Sequence, residues 1–250
     1  MTLPPSFFAK PITHRGLHDR ARGIVENSRD AFEAAIAQGF GIECDLQLSA
    51  DNEAMVFHDY DMARLTGLPG PIQQRDAATL AKTRLTDSAN TIETLPAILD
   101  LVAGRVPLLI ELKDQDGAMG PNIGQLETRT AAALKDYQGD VAVMSFNPHS
   151  TARMAELLPD VPRGIVTSSY DYADWPLPKD TCDRLRGIPD YKRTKANFIS
   201  HQVDDLTRDR VAELKAQGSR ILCWTVRSQA QADEALKVAE NITFEGFLPA

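Results

Sequence analysis

The chain has 250 residues, of which 43% are hydrophobic and 25% charged, and a formal net charge of −8 at pH 7. Those proportions suit a folded domain and exclude disordered and fibrous classes, while the acidic balance excludes sequence-independent nucleic-acid binding, which needs a basic surface. No stretch approaches the roughly 20 consecutive apolar residues of a membrane span, so no stable membrane insertion is expected.

From the N-terminus, MTLPPSFFAKPITHRG has early prolines and no basic segment before its apolar patch, which argues against a cleaved signal peptide. The first strand run, residues 11–14, ends in His14, Arg15 and Gly16. Taken alone, that tripeptide reads as a surface turn in which Gly16 supplies backbone freedom. Asn27, with Asp30 three residues on, reads as the cap of a helix over 28–39. A strand follows at 41–49, and after a turn-rich segment residues 55–59 (MVFHD) read as a short strand. This spacing predicts a hairpin extension on the second strand.

Further strands are expected at 106–112, 141–146, 163–166, 196–200, 220–226 and 241–247, and helices at 91–104, 123–137, 148–158, 206–218 and 228–240. Eight strands alternating with helices give a parallel sheet, and in this length they fit a closed (β/α)8 TIM barrel spanning 1–250 as one domain. Residues 167–195 are too long and aromatic for a simple connection and read as a lid or a contact between copies in a homo-oligomer. Cys44, Cys182 and Cys223 form no C-x-x-C pair, which predicts reduced thiols and a cytoplasmic location. His18, His149 and His201 have no partner pattern and read as structural.

Side-chain parity locates the chemistry. Glu43 and Asp45, two apart on a strand, share one face, while Ile42, Cys44, Leu46 and Leu48 share the other. Glu111 and Lys113 repeat this with Leu109, opposite Leu108, Ile110 and Leu112. An unpaired buried carboxylate costs several kcal/mol, so something cationic must meet this group. Three carboxylates at one rim suit a hard divalent cation, Mg²⁺ or Ca²⁺, and the competing reading is a salt-bridge cluster with Arg15 and Lys113. His58 at the end of the hairpin strand returns to the same rim. His14 and His58 then supply a general base and a general acid, and Arg15 a fork for an oxyanion, the parts needed for phosphoryl transfer.

The series HRG (14–16), EN (26–27), ECD (43–45), HD (58–59), ELK (111–113), SF (145–146) and WTV (224–226) resembles that of glycerophosphodiester phosphodiesterases. The resemblance implies a TIM barrel and metal-dependent hydrolysis of a small-molecule glycerophosphodiester to sn-glycerol 3-phosphate and an alcohol. It implies His14 and His58 as the catalytic pair, Glu43, Asp45 and Glu111 as ligands of one divalent cation, Arg15 as phosphate-binding, and Lys113 as the positive residue beside the phosphate. It further implies attack by the neighbouring glycerol hydroxyl through a cyclic phosphate. Trp224 shares strand parity with Leu222 and Val226, and core burial and a substrate wall are equal readings for it. The chain departs from the family pattern at VENS (25–28), at Arg227, where Asn is frequent, and at FEGF (244–247), which replaces a Thr-Asp tail. Alternatives are a phospholipase C-like or sphingomyelinase D-like activity, disfavoured because no basic amphipathic stretch is present, and a catalytically silent phosphodiester-binding barrel.

Overall fold

The computed structural model describes residues 2–250. Its strands are β1 (Ile12–Thr13), β2 (Gly41–Leu48), β3 (Ala54–Val56), β4 (Leu108–Leu112), β5 (Val141–Ser145), β6 (Arg163–Thr167), β7 (Phe198–Gln202), β8 (Arg220–Val226) and β9 (Asn241–Phe244). All but β3 pair in parallel around a ring that closes because β1 bonds both β2 and β9. Around the ring lie α1 (Arg29–Gln38), α2 (Ala63–Thr66), α3 (Ala77–Leu80), α4 (Leu95–Val102), α5 (Gln125–Leu134), α6 (Pro148–Leu157), α7 (Lys179–Arg186), α8 (Asp209–Ala216) and α9 (Gln229–Ala235). This is the expected TIM barrel. β3 pairs antiparallel with β2, Leu46 opposite Val56 and Leu48 opposite Ala54, as the hairpin reading predicts.

Strand parity sorts the side chains as expected. Ile42, Cys44 and Leu46 pack outward with Leu108, Ile110 and Leu112 against Phe32 of α1 and Ile98 of α4. Inside the barrel, Leu109, Ala142, Met144, Val166, Phe198 and Leu222 pack with Leu3, Phe7 and Ile12. Phe7 ends near the floor in a 3₁₀ turn, Pro5–Phe8, that Asn241 fastens by donating to the Phe7 and Lys10 carbonyls at 2.5 and 2.8 Å. The interior is thus a packed core, and its opening is at the strands' C-terminal rim. Cys44, Cys182 and Cys223 are free and buried. Among the described residues, no helix is long and apolar enough to cross a membrane.

The structure corrects two expectations, at Asn27 and at Val226, and adds a helix to the 167–195 segment. Ser28, not Asn27, caps α1, accepting the Ala31 N–H, while Asn27 stands in the left-handed region at φ 53°. Residues 167–195 contain α7, whose Cys182 and Leu185 pack with Met119 and Tyr170. α7 is short and strongly polar, and its apolar face is only Cys182 and Leu185, too little to mark a helix in the sequence. Val226 does not share a face with Trp224: pairing with β9 slips between Cys223 and Val226, so Val226 joins Cys223 in the outer layer while Trp224 stays with Leu222.

The chain between β3 and α4 is not slack. Met55, Phe57, Met62, Leu65, Ile72, Leu80 and Leu85 form a small core of their own with Val25, which holds the segment after His58 firmly against the barrel. Gly16 is fixed by a different constraint. Its φ is +80°, and a Cβ there would lie 2.7 Å from Phe32 Cδ1 and 2.8 Å from Ala31 Cβ. Gly16→Ala is expected to destabilise the fold by about 1–3 kcal/mol, seen as a lower midpoint of thermal unfolding. An unchanged midpoint would show that α1 retreats without cost.

Candidate active site

His14 enters at the rim because its backbone N–H continues the β1–β9 ladder, donating to the Phe244 carbonyl at 2.8 Å. The β2–β4 register sets Asp45 beside Glu111 and Glu43 beside Leu109. His58 comes back to the same place because Phe57 N–H bonds the Asp45 carbonyl at 3.0 Å, extending the hairpin. His14, Arg15, Glu43, His58, Glu111, Lys113 and Trp224 therefore line one pocket. Asp45 lies just beneath them, only 1% exposed. Every residue that the sequence offered for catalysis, phosphate or metal binding is brought together here.

One carboxylate oxygen from each of Glu43, Asp45 and Glu111 lies within 4.8 Å of the other two, close enough to hold a metal ion. Lys113 Nζ bridges Asp45 Oδ1 at 2.8 Å and Glu111 Oε1 at 2.7 Å. Asp45 Oδ2 accepts from Asn27 Nδ2 at 2.8 Å and faces Arg15 Nε at 3.4 Å. Burial opposes the Asp45 charge, but Lys113, His58 and Arg15 outweigh it and hold its carboxyl well below the usual range. Removing one partner from a buried pair of this kind costs about 3–5 kcal/mol. Glu43 differs. Its Oε2 accepts the Arg15 backbone N–H at 2.9 Å, and burial together with the Asp45 and Glu111 charges pushes its carboxyl well up. An all-oxygen, buried set with excess negative charge fits a hard divalent cation. The salt-bridge contacts expected as the competing reading are also present, and they leave Glu43 without a side-chain cation.

Both pocket histidines are backed by carboxylates. His14 Nδ1 lies 2.5 Å from Glu245 Oε2, and His58 Nδ1 lies 2.7 Å from Asp59 Oδ1. Burial lowers the His14 pKa to about 4, with Glu245 opposing and Arg15 assisting, so the ring is neutral at pH 7. Arg15, in the left-handed region at φ 57°, places Nη1 2.6 Å from Glu26 Oε1. Although burial opposes it, Arg64 and Arg15 hold the Glu26 carboxyl down at about 2. Arg64 spans the two sides of the pocket, meeting Glu26 Oε2 at 2.8 Å and Asp59 Oδ2 at 2.6 Å. Arg64→Ala is expected to lower turnover several-fold with little loss of stability, because a half-exposed ion pair is worth about 1 kcal/mol or less yet orients His58 and Arg15 together. Wild-type kinetics in that variant would refute the orienting role.

Sequence reasoning missed Glu245, Asp59, Arg64 and Glu26 as partners. Asp59 and Glu26 stood inside the quoted motifs; Glu245 stood in the noted departure at FEGF. His18, read as structural, sits with Nε2 3.5 Å from Glu245 Oε2. Phe146 joins the pocket wall and packs edge-on to Trp224 at 5.4 Å and on Trp175 at 5.0 Å. The 167–195 segment thus buttresses the wall.

A TIM barrel with two carboxylate-backed histidines and an acidic cluster at its C-terminal rim has the layout of a barrel phosphodiesterase. The sequence profile of the glycerophosphoryl diester phosphodiesterase family matches residues 14–241, and the chain belongs to that family. Among its relatives, the glycerophosphodiester phosphodiesterase of Bacillus altitudinis is 28% identical over 247 residues, covering 95% of this chain and 94% of the relative. That of Caldanaerobacter subterraneus subsp. tengcongensis is 23% identical over 239 residues, covering 90% and 89%. Among solved structures, a phosphodiesterase from Oleispira antarctica in complex with the product sn-glycerol-3-phosphate superposes with a TM-score of 0.78 at 22% identity, covering 96% of this chain and 94% of that one.

Proposed function

We propose that this enzyme hydrolyses glycerophosphodiesters to sn-glycerol 3-phosphate and an alcohol, with His14 and His58 as its proton carriers. The observation that carries this reading is the pair of imidazoles, each held through Nδ1 by a carboxylate, in one pocket with Arg15, Lys113 and the acidic cluster. The product bound to the Oleispira antarctica phosphodiesterase supports the substrate class. Glu43, Asp45 and Glu111 would hold one Mg²⁺ or Ca²⁺, which when bound neutralises phosphate charge as a Lewis acid.

Arg15 and Lys113 grip the phosphate oxygens, where positive charge is worth most as negative charge concentrates in the transition state. Neutral His14 accepts the proton of the glycerol hydroxyl next to the phosphoester. That oxygen forms a bond to phosphorus, the bond to the alcohol oxygen breaks, and His58 gives the departing oxygen its proton. Water then opens the cyclic phosphate with the two rings exchanging roles, which restores both protonation states. Trp224 and Phe146 offer the glycerol carbons an apolar wall.

The test is release of glycerol 3-phosphate from glycerophosphocholine, glycerophosphoethanolamine and glycerophosphoglycerol, each with and without EDTA. Release from at least one of them in the presence of metal is expected. No release from any, with Mg²⁺ or Ca²⁺ supplied, would overturn the reading.

A further inference from the structure

Arg227 and Glu245 are eighteen residues apart in sequence and belong to different strand ends. The fold joins them. Glu245 N–H donates to the Val226 carbonyl at 3.0 Å, carrying the β8–β9 pairing one step past the barrel. The two side chains then meet, with Arg227 Nη2 2.7 Å from Glu245 Oε1. The other carboxylate oxygen, Oε2, is the one 2.5 Å from His14 Nδ1. Arg227 is itself anchored, its backbone N–H donating to Gln231 Oε1 at 2.8 Å and its Nη1 to the Thr225 carbonyl at 3.4 Å.

We propose that Arg227 and Glu245 are a coupled positioning pair that sets the tautomer and ring orientation of His14. Glu245 accepts the Nδ1 proton, which leaves the Nε2 lone pair for the pocket. Glutamate reaches His14 with one more rotatable bond than aspartate has, and holding that bond in one rotamer costs entropy. The guanidinium offsets this by occupying the second oxygen. Arg227 is 63% exposed, so its effect is geometric and not a matter of fold stability. The charged and titratable groups facing the pair are His14 and His18 on Glu245, and Arg15 and Asp45 on His14. Burial opposes the Glu245 charge, and the hydrogen bond from His14, the nearby His18 and the Arg227 charge hold its carboxyl well below the usual range. The carboxylate therefore stays an acceptor across the neutral range.

The inference rests on His14 being a proton carrier, and the experiment separates the two claims. Wild type, Arg227→Ala, Glu245→Gln and the double variant are assayed for kcat and KM on glycerophosphoethanolamine with Mg²⁺. The His14 imidazole is also read in the free protein by ¹⁵N-detected tautomer spectra, assigned by its loss in His14→Ala. Glu245→Gln is expected to lower kcat at least about 10-fold with KM nearly unchanged, the scale for residues that orient a reacting group. Arg227→Ala is expected to lower kcat by about 3-fold or more alone and not at all in the Glu245→Gln background, the signature of one coupled unit. In the spectra, wild-type His14 carries its proton on Nδ1, and both single variants shift population toward Nε2–H. Full activity in Arg227→Ala, or losses that multiply independently, would overturn the coupling. So would an unchanged His14 tautomer in both variants, a result that decides the proposal even if wild type proves inactive on every diester.

Discussion

Alanine at His14 or at His58 is expected to lower kcat at least about 100-fold while the midpoint of thermal unfolding stays close to wild type. The magnitude is that of losing a positioned acid–base group. The fold survives because neither ring is a keystone of the packing: Glu245 keeps Arg227 and His18, and Asp59 keeps Arg64. Steady-state kinetics on a released-product assay, beside a thermal melt, check both halves. The pH profile adds a signed expectation. His14 is neutral above a pKa of about 4. Activity that depends on its accepting a proton holds as pH falls through 6.5 and is lost toward 4. Near-wild-type turnover in either alanine variant would remove that residue from the reaction.

Removal of divalent metal is the second large effect. EDTA is expected to abolish turnover, and Mg²⁺ or Ca²⁺ to restore it. Glu43→Gln should raise the metal concentration needed by at least about 10-fold, since even outer partners of a metal site cost that much. Glu43 is the informative ligand. Asp45 has Lys113, Asn27 and Arg15 as alternative partners, so its loss mixes metal affinity with broken buried pairs. The charge balance points the same way: Arg15 is shared with Glu26, and Lys113 is spread over two carboxylates. Three buried carboxylates thus exceed their cations. Full turnover after exhaustive chelation would assign the cluster to Arg15 and Lys113 alone.

What could be read in the sequence was local or periodic. Glu43, Asp45 and Glu111 were legible because strand parity is a period of two, and the β2–β4 register then put Asp45 against Glu111. The hairpin and His58 followed from the spacing of one turn. What failed depended on backbone or distant partners. Asn27 looked like a cap by residue type, yet its φ of 53° turns the amide to Asp45 instead. Parity at Trp224 held on one side and broke on the other, where the β8–β9 pairing slips. Glu245 could not be placed from sequence because its partner, His14, lies at the other end of the chain. Barrel closure alone makes those ends neighbours.

The stopper at the barrel floor has a consequence for traffic. Leu3 and Phe7 fill the N-terminal end and Asn241 pins the turn that carries Phe7. Substrate, departing alcohol and incoming water must therefore share one doorway at the rim. In the proposed reaction the alcohol has to vacate before water reaches the cyclic phosphate, so the two half-reactions are queued by plumbing as well as by chemistry. A high concentration of the free alcohol would hold that doorway and return the intermediate to diester. In that reaction the stopper would impose an order of exit.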